Sequence, residues 1–161
     1  MFTKTEKSSF PYWFAHWCAY QMTALNAKAW KFKYLFHDIE KPFLKLFISY
    51  DKLKTYHRNS KSHHVEWLES KLKECELITG KVSELDKEYL LYKFDYEGAI
   101  IDWECCHYTK SEEPLDAHEE YKRLLSYDNF NKKYPLITKY CYNEFSMKLM
   151  DAIKKLGLEN N

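Results

Sequence analysis

A chain of 161 residues is long enough to bury a core in one domain without disulfide staples. Its 25 lysines and arginines against 24 acidic residues leave a formal net charge of +1, which argues against general nucleic-acid binding and leaves a small charged ligand open. Aromatics make up 18 % and glycines number only 3, a composition of ring packing rather than flexible loops, and no apolar run approaches the ~20 residues of a membrane span. Five cysteines with no Cys-x-x-Cys pair, and polar residues from Met1 to Ser9 instead of a secretory signal, lead to the expectation of a reducing cytoplasm.

Ser8 and Ser9 before Phe10-Pro11 read as a helix start, and the first helix is expected over Pro11 to Asn26. Trp13, Phe14, Trp17, Tyr20, Met22 and Leu25 are spread around it, which implies burial on more than one side, with His16 among them. A second helix is expected over Trp30 to Glu40, broken at Pro42, followed by a short apolar segment of Phe43, Leu44, Leu46, Phe47 and Ile48 covering the core. Asp51 to Ser62 lacks periodicity and reads as a loop carrying His57 and Arg58. Ser62 then caps a helix of His63 to Leu77, stopped by Thr79-Gly80, which sets His63 and His64 at a helix start that favours anions.

Ser83-Glu84-Leu85-Asp86 has capping-box spacing, and one long helix is expected from it to Thr109, with Leu85, Leu90, Leu91, Phe94, Ile100 and Ile101 as core contacts and Gly98 at mid-helix. Pro114 opens a further helix to Tyr127. The last runs from Tyr134 to Leu156 with Gly157 as its stop, its apolar face long enough to pack on the core or on another subunit. The fold class is all-α: a bundle of six or seven helices in a single domain over 1–161, with a core of about 10–109 and C-terminal helices over 114–157 packing on it.

Within this frame the adjacent pair His37-Asp38 supplies one nitrogen and one oxygen donor, a mixture suited to a divalent metal. On a helix, neighbours point about 100° apart, so the two meet only on an ion beside the helix, and the ion then needs donors from elsewhere. His16, His57, His63, His64 and Asp102 are available. Asp102 follows Ile100-Ile101 and precedes Trp103, so its carboxylate needs a partner, either a metal or a lysine or arginine. Each histidine alone is as compatible with a satisfied core or surface position.

The motif His37-Asp38-Ile39-Glu40-Lys41 resembles the His-Asp-x-x-Lys element of the HD superfamily of metal-dependent phosphohydrolases, and Ala99-Ile100-Ile101-Asp102-Trp103 resembles the helix that delivers its final aspartate. His57 to His64, with Trp67 after it, resembles a phage and bacterial HD-like branch; together the likeness covers roughly residues 14–108. The resemblance implies an HD-domain-like bundle in a bacterial or phage-infected cytoplasm, with His16, His37, Asp38 and Asp102 on a first metal and His57, His63 and His64 on a second. The ions expected are Mn, Fe, Co, Ni, Zn or Mg, one or two of them. It further implies hydrolysis of a nucleotide or related small phosphate ester with metal-bound water as nucleophile. Lys41 and Arg58 would hold phosphate oxygens, and Glu66 is either a general acid or base or a helix-dipole complement. Two alternatives remain open: an HD-like module that binds metal, nucleotide or a host protein without turnover, and a structural bundle whose histidines are incidental.

Overall fold

The computed structural model describes residues 9–109 and 116–159. The fold is all-α: among the described residues there are ten α-helices, eight of them of seven residues or more, and no strand. They are α1 (Phe10–Asn26), α2 (Glu40–Leu44), α3 (Tyr50–Ser60), α4 (Val65–Thr79), α5 (Glu84–Lys93), α6 (Tyr96–Thr109), α7 (Ala117–Leu124), α8 (Tyr127–Lys133), α9 (Pro135–Tyr140) and α10 (Tyr142–Lys155), with a 3-10 helix at Phe32–Phe36. None is long and apolar enough to cross a membrane.

Helix α6 is the central element, packed against α1, α7 and α10. Its Ala99, Ile100, Ile101 and Cys105 are fully buried with Tyr20 of α1, Leu68 and Leu72 of α4, and Phe145, Leu149 and Ile153 of α10. The apolar face of α10 is therefore used inside the chain. A smaller cluster of Tyr12, Trp13 and Leu53, flanked by Leu44, Ile48 and Tyr50, fixes α3 beside the first turns of α1.

Local signals fix several ends where expected. The Ser9 hydroxyl accepts from the Tyr12 amide at 3.3 Å, Pro11 lies in the first turn, and Gly80 closes α4 in the left-handed conformation at φ 78°. Ser83 and Asp86 form a reciprocal capping box. Glu69 of α4 accepts from the amides of Leu136 and Ile137, both at 2.9 Å, and so caps α9 across the core. Glu69→Ala is expected to destabilise the fold by about 2 kcal/mol by orphaning two amides, read as a lower denaturant midpoint at unchanged m value.

Elsewhere the structure corrects the sequence reading. The helix expected over Trp30 to Glu40 is replaced by the 3-10 helix and a turn, because α1 side chains take its carbonyls: Gln21 Nε2 donates to Tyr34 O at 2.6 Å and Trp17 Nε1 to Leu35 O at 3.0 Å. Pro42 does not break a helix; it sits in the first turn of α2, where a missing amide costs nothing. The supposed loop Asp51–Ser62 is mostly α3, whose buried stripe is Leu53 and His57, four apart. One of those two is a histidine, which hid the period.

The helix capped by Ser83 ends at Lys93, since Phe94 is extended and Asp95 starts α6 by accepting from the Gly98 amide at 3.2 Å. Gly98 thus lies in a first turn, not at mid-helix, and an added Cβ there would come 2.5 Å from Asp95 Oδ2. The last helix is two, α9 and α10, broken at Cys141, and the expected start at Pro114 lies outside the described residues. Leu85 is exposed rather than core, as are Phe14, Met22, Leu25, Phe43, Leu46 and Phe47, so residues 9–50 expose several large apolar side chains.

Candidate metal centre

The packing of α1 on α6 sets His16 against Asp102, with Nε2 to Oδ1 at 3.1 Å. The turn after the 3-10 helix brings in His37 and Asp38. His37 Nε2 lies 3.4 Å from His16 Nε2, 3.5 Å from Asp102 Oδ1 and 3.7 Å from Asp38 Oδ2, while His16 Nε2 lies 3.5 Å from Asp38 Oδ2. Tyr20, one turn beyond His16, stacks on the His37 ring at 3.7 Å between centroids and fixes its plane. Asp38 has φ 61°, a left-handed backbone that aspartate tolerates at a cost of order 1 kcal/mol. That turn, not a helix, allows the adjacent side chains of His37 and Asp38 to face one point.

Asp38 also faces a second group. Its Oδ1 is 3.0 Å from His57 Nε2 of α3, yet the two are not aligned as a hydrogen bond. Ligand nitrogens of His57, His63 and His64 lie within 4.8 Å of one another. Asp38 Oδ1 and the Nε2 atoms of His57, His63 and His64 are all buried without a hydrogen-bond partner. Buried polar atoms are normally satisfied, and orphans of this chemistry, three neighbouring histidines with Asp38 Oδ1 beside His57, are of the kind a cation can satisfy. On its other nitrogen, His57 Nδ1 meets Glu40 Oε1 at 2.8 Å, and Lys61 holds the same oxygen at 3.0 Å. A carboxylate on the distal ring nitrogen sets the tautomer that leaves Nε2 as a donor to metal.

The electrostatics agree with a ligand set. Burial pushes the Asp38 and Asp102 carboxyls up, but Asp38 is held well below the usual carboxylate range by His37, Lys41 and His57, and Asp102 by His16 and His37. Burial lowers His16, and the hydrogen bond to Asp102 with neighbouring negative charge outweighs it, for a net rise. Burial and then the His37 charge push His63 down to about 3, and burial and His63 push His64 well below its ordinary value. His63 and His64 are thus neutral at pH 7, with lone pairs available. Burial raises Glu40, but the His57 hydrogen bond leads the effects that bring it down to about 2.

The centre opens on a cavity of about 330 Å³ lined in part by His16, His57, His64 and Asp102. Five cations, Lys41, Lys54, Arg58, Arg123 and Lys133, share its wall, which suits an anionic ligand. Of the residues expected to act on a phosphate, Lys41 places Nζ on Asp38 Oδ2, and Arg58 donates to Glu66 Oε1 at 2.9 Å. Glu66, also 3.6 Å from Lys133, holds Arg58 in the cavity wall, a positioning part more than a proton-handling one. Glu40, Arg123 and Lys133 were not expected. Glu40 stands inside the His-Asp-x-x-Lys stretch, but its pairing with His57 depends on tertiary contact, and the two cations arrive from α7 and α8.

No protein-family model, curated protein or solved structure matches the chain. Fold and site together define an all-α protein with a buried cluster of histidine, aspartate and cysteine able to hold a metal ion.

Proposed function

We propose that the chain is a metal-dependent phosphohydrolase of the HD type, acting on a nucleotide or a related small phosphate ester. The observation that carries this reading is that His16 and His37 lie 3.4 Å apart and each lies within 3.1–3.7 Å of both Asp38 and Asp102, beside a cation-lined cavity. His16, His37, Asp38 Oδ2 and Asp102 would hold one divalent ion, and Asp38 Oδ1 with His57, His63 and His64 a second. Such ions supply a Lewis acid that activates water and offsets charge on a phosphoryl group. The chain's own residues do the rest: Glu40 fixes His57, Tyr20 fixes His37, and Lys41 keeps Asp38 ionised. Arg58, braced by Glu66, binds phosphate oxygens in a cavity of about 330 Å³, within the size range of nucleotide-scale ligands.

A binding module without turnover is the second reading, favoured by the engagement of Glu66 with Arg58 and Lys133, which holds the expected general acid or base in the cavity wall. Metal analysis and phosphate release separate the two. The purified protein is expected to carry near-stoichiometric transition metal that is lost in the His37→Ala/Asp38→Ala double variant. Nucleoside mono-, di- and triphosphates and cyclic nucleotides, assayed with Mn²⁺, Co²⁺, Ni²⁺ and Mg²⁺ in turn, are expected to yield hydrolysis products, released phosphate or, from cyclic nucleotides, the ring-opened monophosphate, well above the Asp102→Ala background. Bound metal with no turnover above that background decides for the binding module. On the hydrolase reading Arg58→Ala raises KM at least about tenfold with a smaller change in kcat, since the guanidinium serves binding more than the reacting bond.

A further inference from the structure

The face of α6 that carries Asp102 also carries Cys105 and Cys106, at i+3 and i+4, and all three are turned toward His16 of α1. Cys105 is fully buried, with Sγ 3.6 Å from His16 Nδ1 and 3.9 Å from Asp102 Oδ1. Cys106 is half-buried and lines the cavity. One ligand atom from each of His16, Asp102, Cys105 and Cys106 lies within 4.8 Å of the other three. A tetrahedral ion with metal–sulfur bonds of about 2.3 Å and metal–nitrogen bonds of about 2.0–2.1 Å separates its ligand atoms by roughly 3.3–3.8 Å, so the four donors need close by only about 1 Å.

We propose that Cys105 and Cys106, with His16 and Asp102, form a thiolate site for a thiophilic divalent ion, zinc or cadmium, reached from the cavity. Both thiols give up their protons to water as the ion binds, and the two thiolates neutralise its charge. Sulfur selects softer ions than the nitrogen and oxygen set does. The two sites draw on the same His16 and Asp102, so an ion on sulfur withdraws two ligands from the neighbouring centre. The chain thereby discriminates between hard ions, which complete that centre, and soft ones, which dismantle it. The inference goes beyond the hydrolytic reading and stands whether or not the chain turns over a phosphate ester.

Titration of reduced, metal-free protein with Cd²⁺, followed by thiolate-to-cadmium charge transfer in the ultraviolet, tests it. One equivalent is expected to develop the band. Cys105→Ser/Cys106→Ser abolishes it, His16→Ala weakens Cd²⁺ binding at least about tenfold, and His37→Ala leaves the band within about twofold of wild type. Should the buried Cys105 variant fail to fold, Cys106→Ser alone, at the cavity wall, is expected to halve the band. A band that persists undiminished in Cys106→Ser belongs to Cys18, Cys75 or Cys141 and overturns the proposal. Absence of any band, with metal still retained by wild type and lost in His37→Ala, overturns the thiolate site while leaving the proposed hydrolytic centre standing.

Discussion

Asp38→Asn is expected to release metal from both donor groups at once and to lower phosphate release by about a thousandfold or more, some 4 kcal/mol of transition-state stabilisation. The Asp38 carboxylate faces both sets: Oδ2 lies near His16 and His37, and Oδ1 near His57. Asparagine keeps the shape and tolerates the left-handed backbone at φ 61°, but offers a neutral oxygen and a nitrogen that cannot ligate. His37→Ala and His64→Ala remove one donor from one set each and are expected to cost one equivalent of metal, not two. Asp38→Gly relieves the backbone strain and still loses both ions, which separates the ligand effect from the conformational one. Metal content by elemental analysis reads all four, with helical circular dichroism as the control for folding. An Asp38→Asn variant holding its full complement of metal would end the shared-ligand argument.

How much of this was legible beforehand follows the range of the interactions involved. The start of α1, the stop of α4 at Gly80 and the capping box of α5 are set by residues within four positions of one another and stand where the sequence places them, whereas α4 starts at Val65 after an extended His64 rather than at a Ser62 cap. The turn at His37-Asp38 is set by Gln21 and Trp17, which take carbonyls that a helix would have used, and no window around residue 37 contains that information. Helix α3 was hidden for another reason: its buried stripe includes His57, which counts as polar in any periodicity. Which residue types could ligate was readable, since histidine and aspartate carry the donors. That Asp38 touches His57 as well as His16, that Glu40 pairs with His57, and that Cys105 touches His16 across 89 positions of chain are consequences of packing alone. The last third of the sequence offered no reason to join the site, yet Arg123 and Lys133 reach the cavity from α7 and α8.

The metal-free protein is expected to be most stable near pH 6.5–7 and to lose stability on either side. The folded-state values of His63, about 3, and His64, well below ordinary, lie under the 6.5 of an unfolded histidine. As pH falls below 6.5 the unfolded chain takes up protons at both positions while the fold does not, so stability declines by up to about 2.7 kcal/mol per pH unit for two protons. His16 has the opposite sign: its folded value is raised, so its contribution is complete below 6.5 and is lost as pH rises through that raised value. Asp38, Asp102 and Glu40, all depressed in the fold, contribute above the ordinary carboxylate range and are lost below about pH 4, steepening the acid limb.

A bound ion changes this profile in a defined way. At a hundredfold excess over Kd it adds about 2.7 kcal/mol near neutral pH. The gain shrinks with acid because protons compete for His16, whose folded value is raised. Urea midpoints from pH 4.5 to 8, with and without Ni²⁺ or Mn²⁺, are expected to diverge at neutral pH and converge at the acid end. A metal-free midpoint that stays level between pH 6.5 and 4.5 would mean that His63 and His64 are protonated as readily in the fold as outside it. The second donor set would then be facing water and unable to claim an ion.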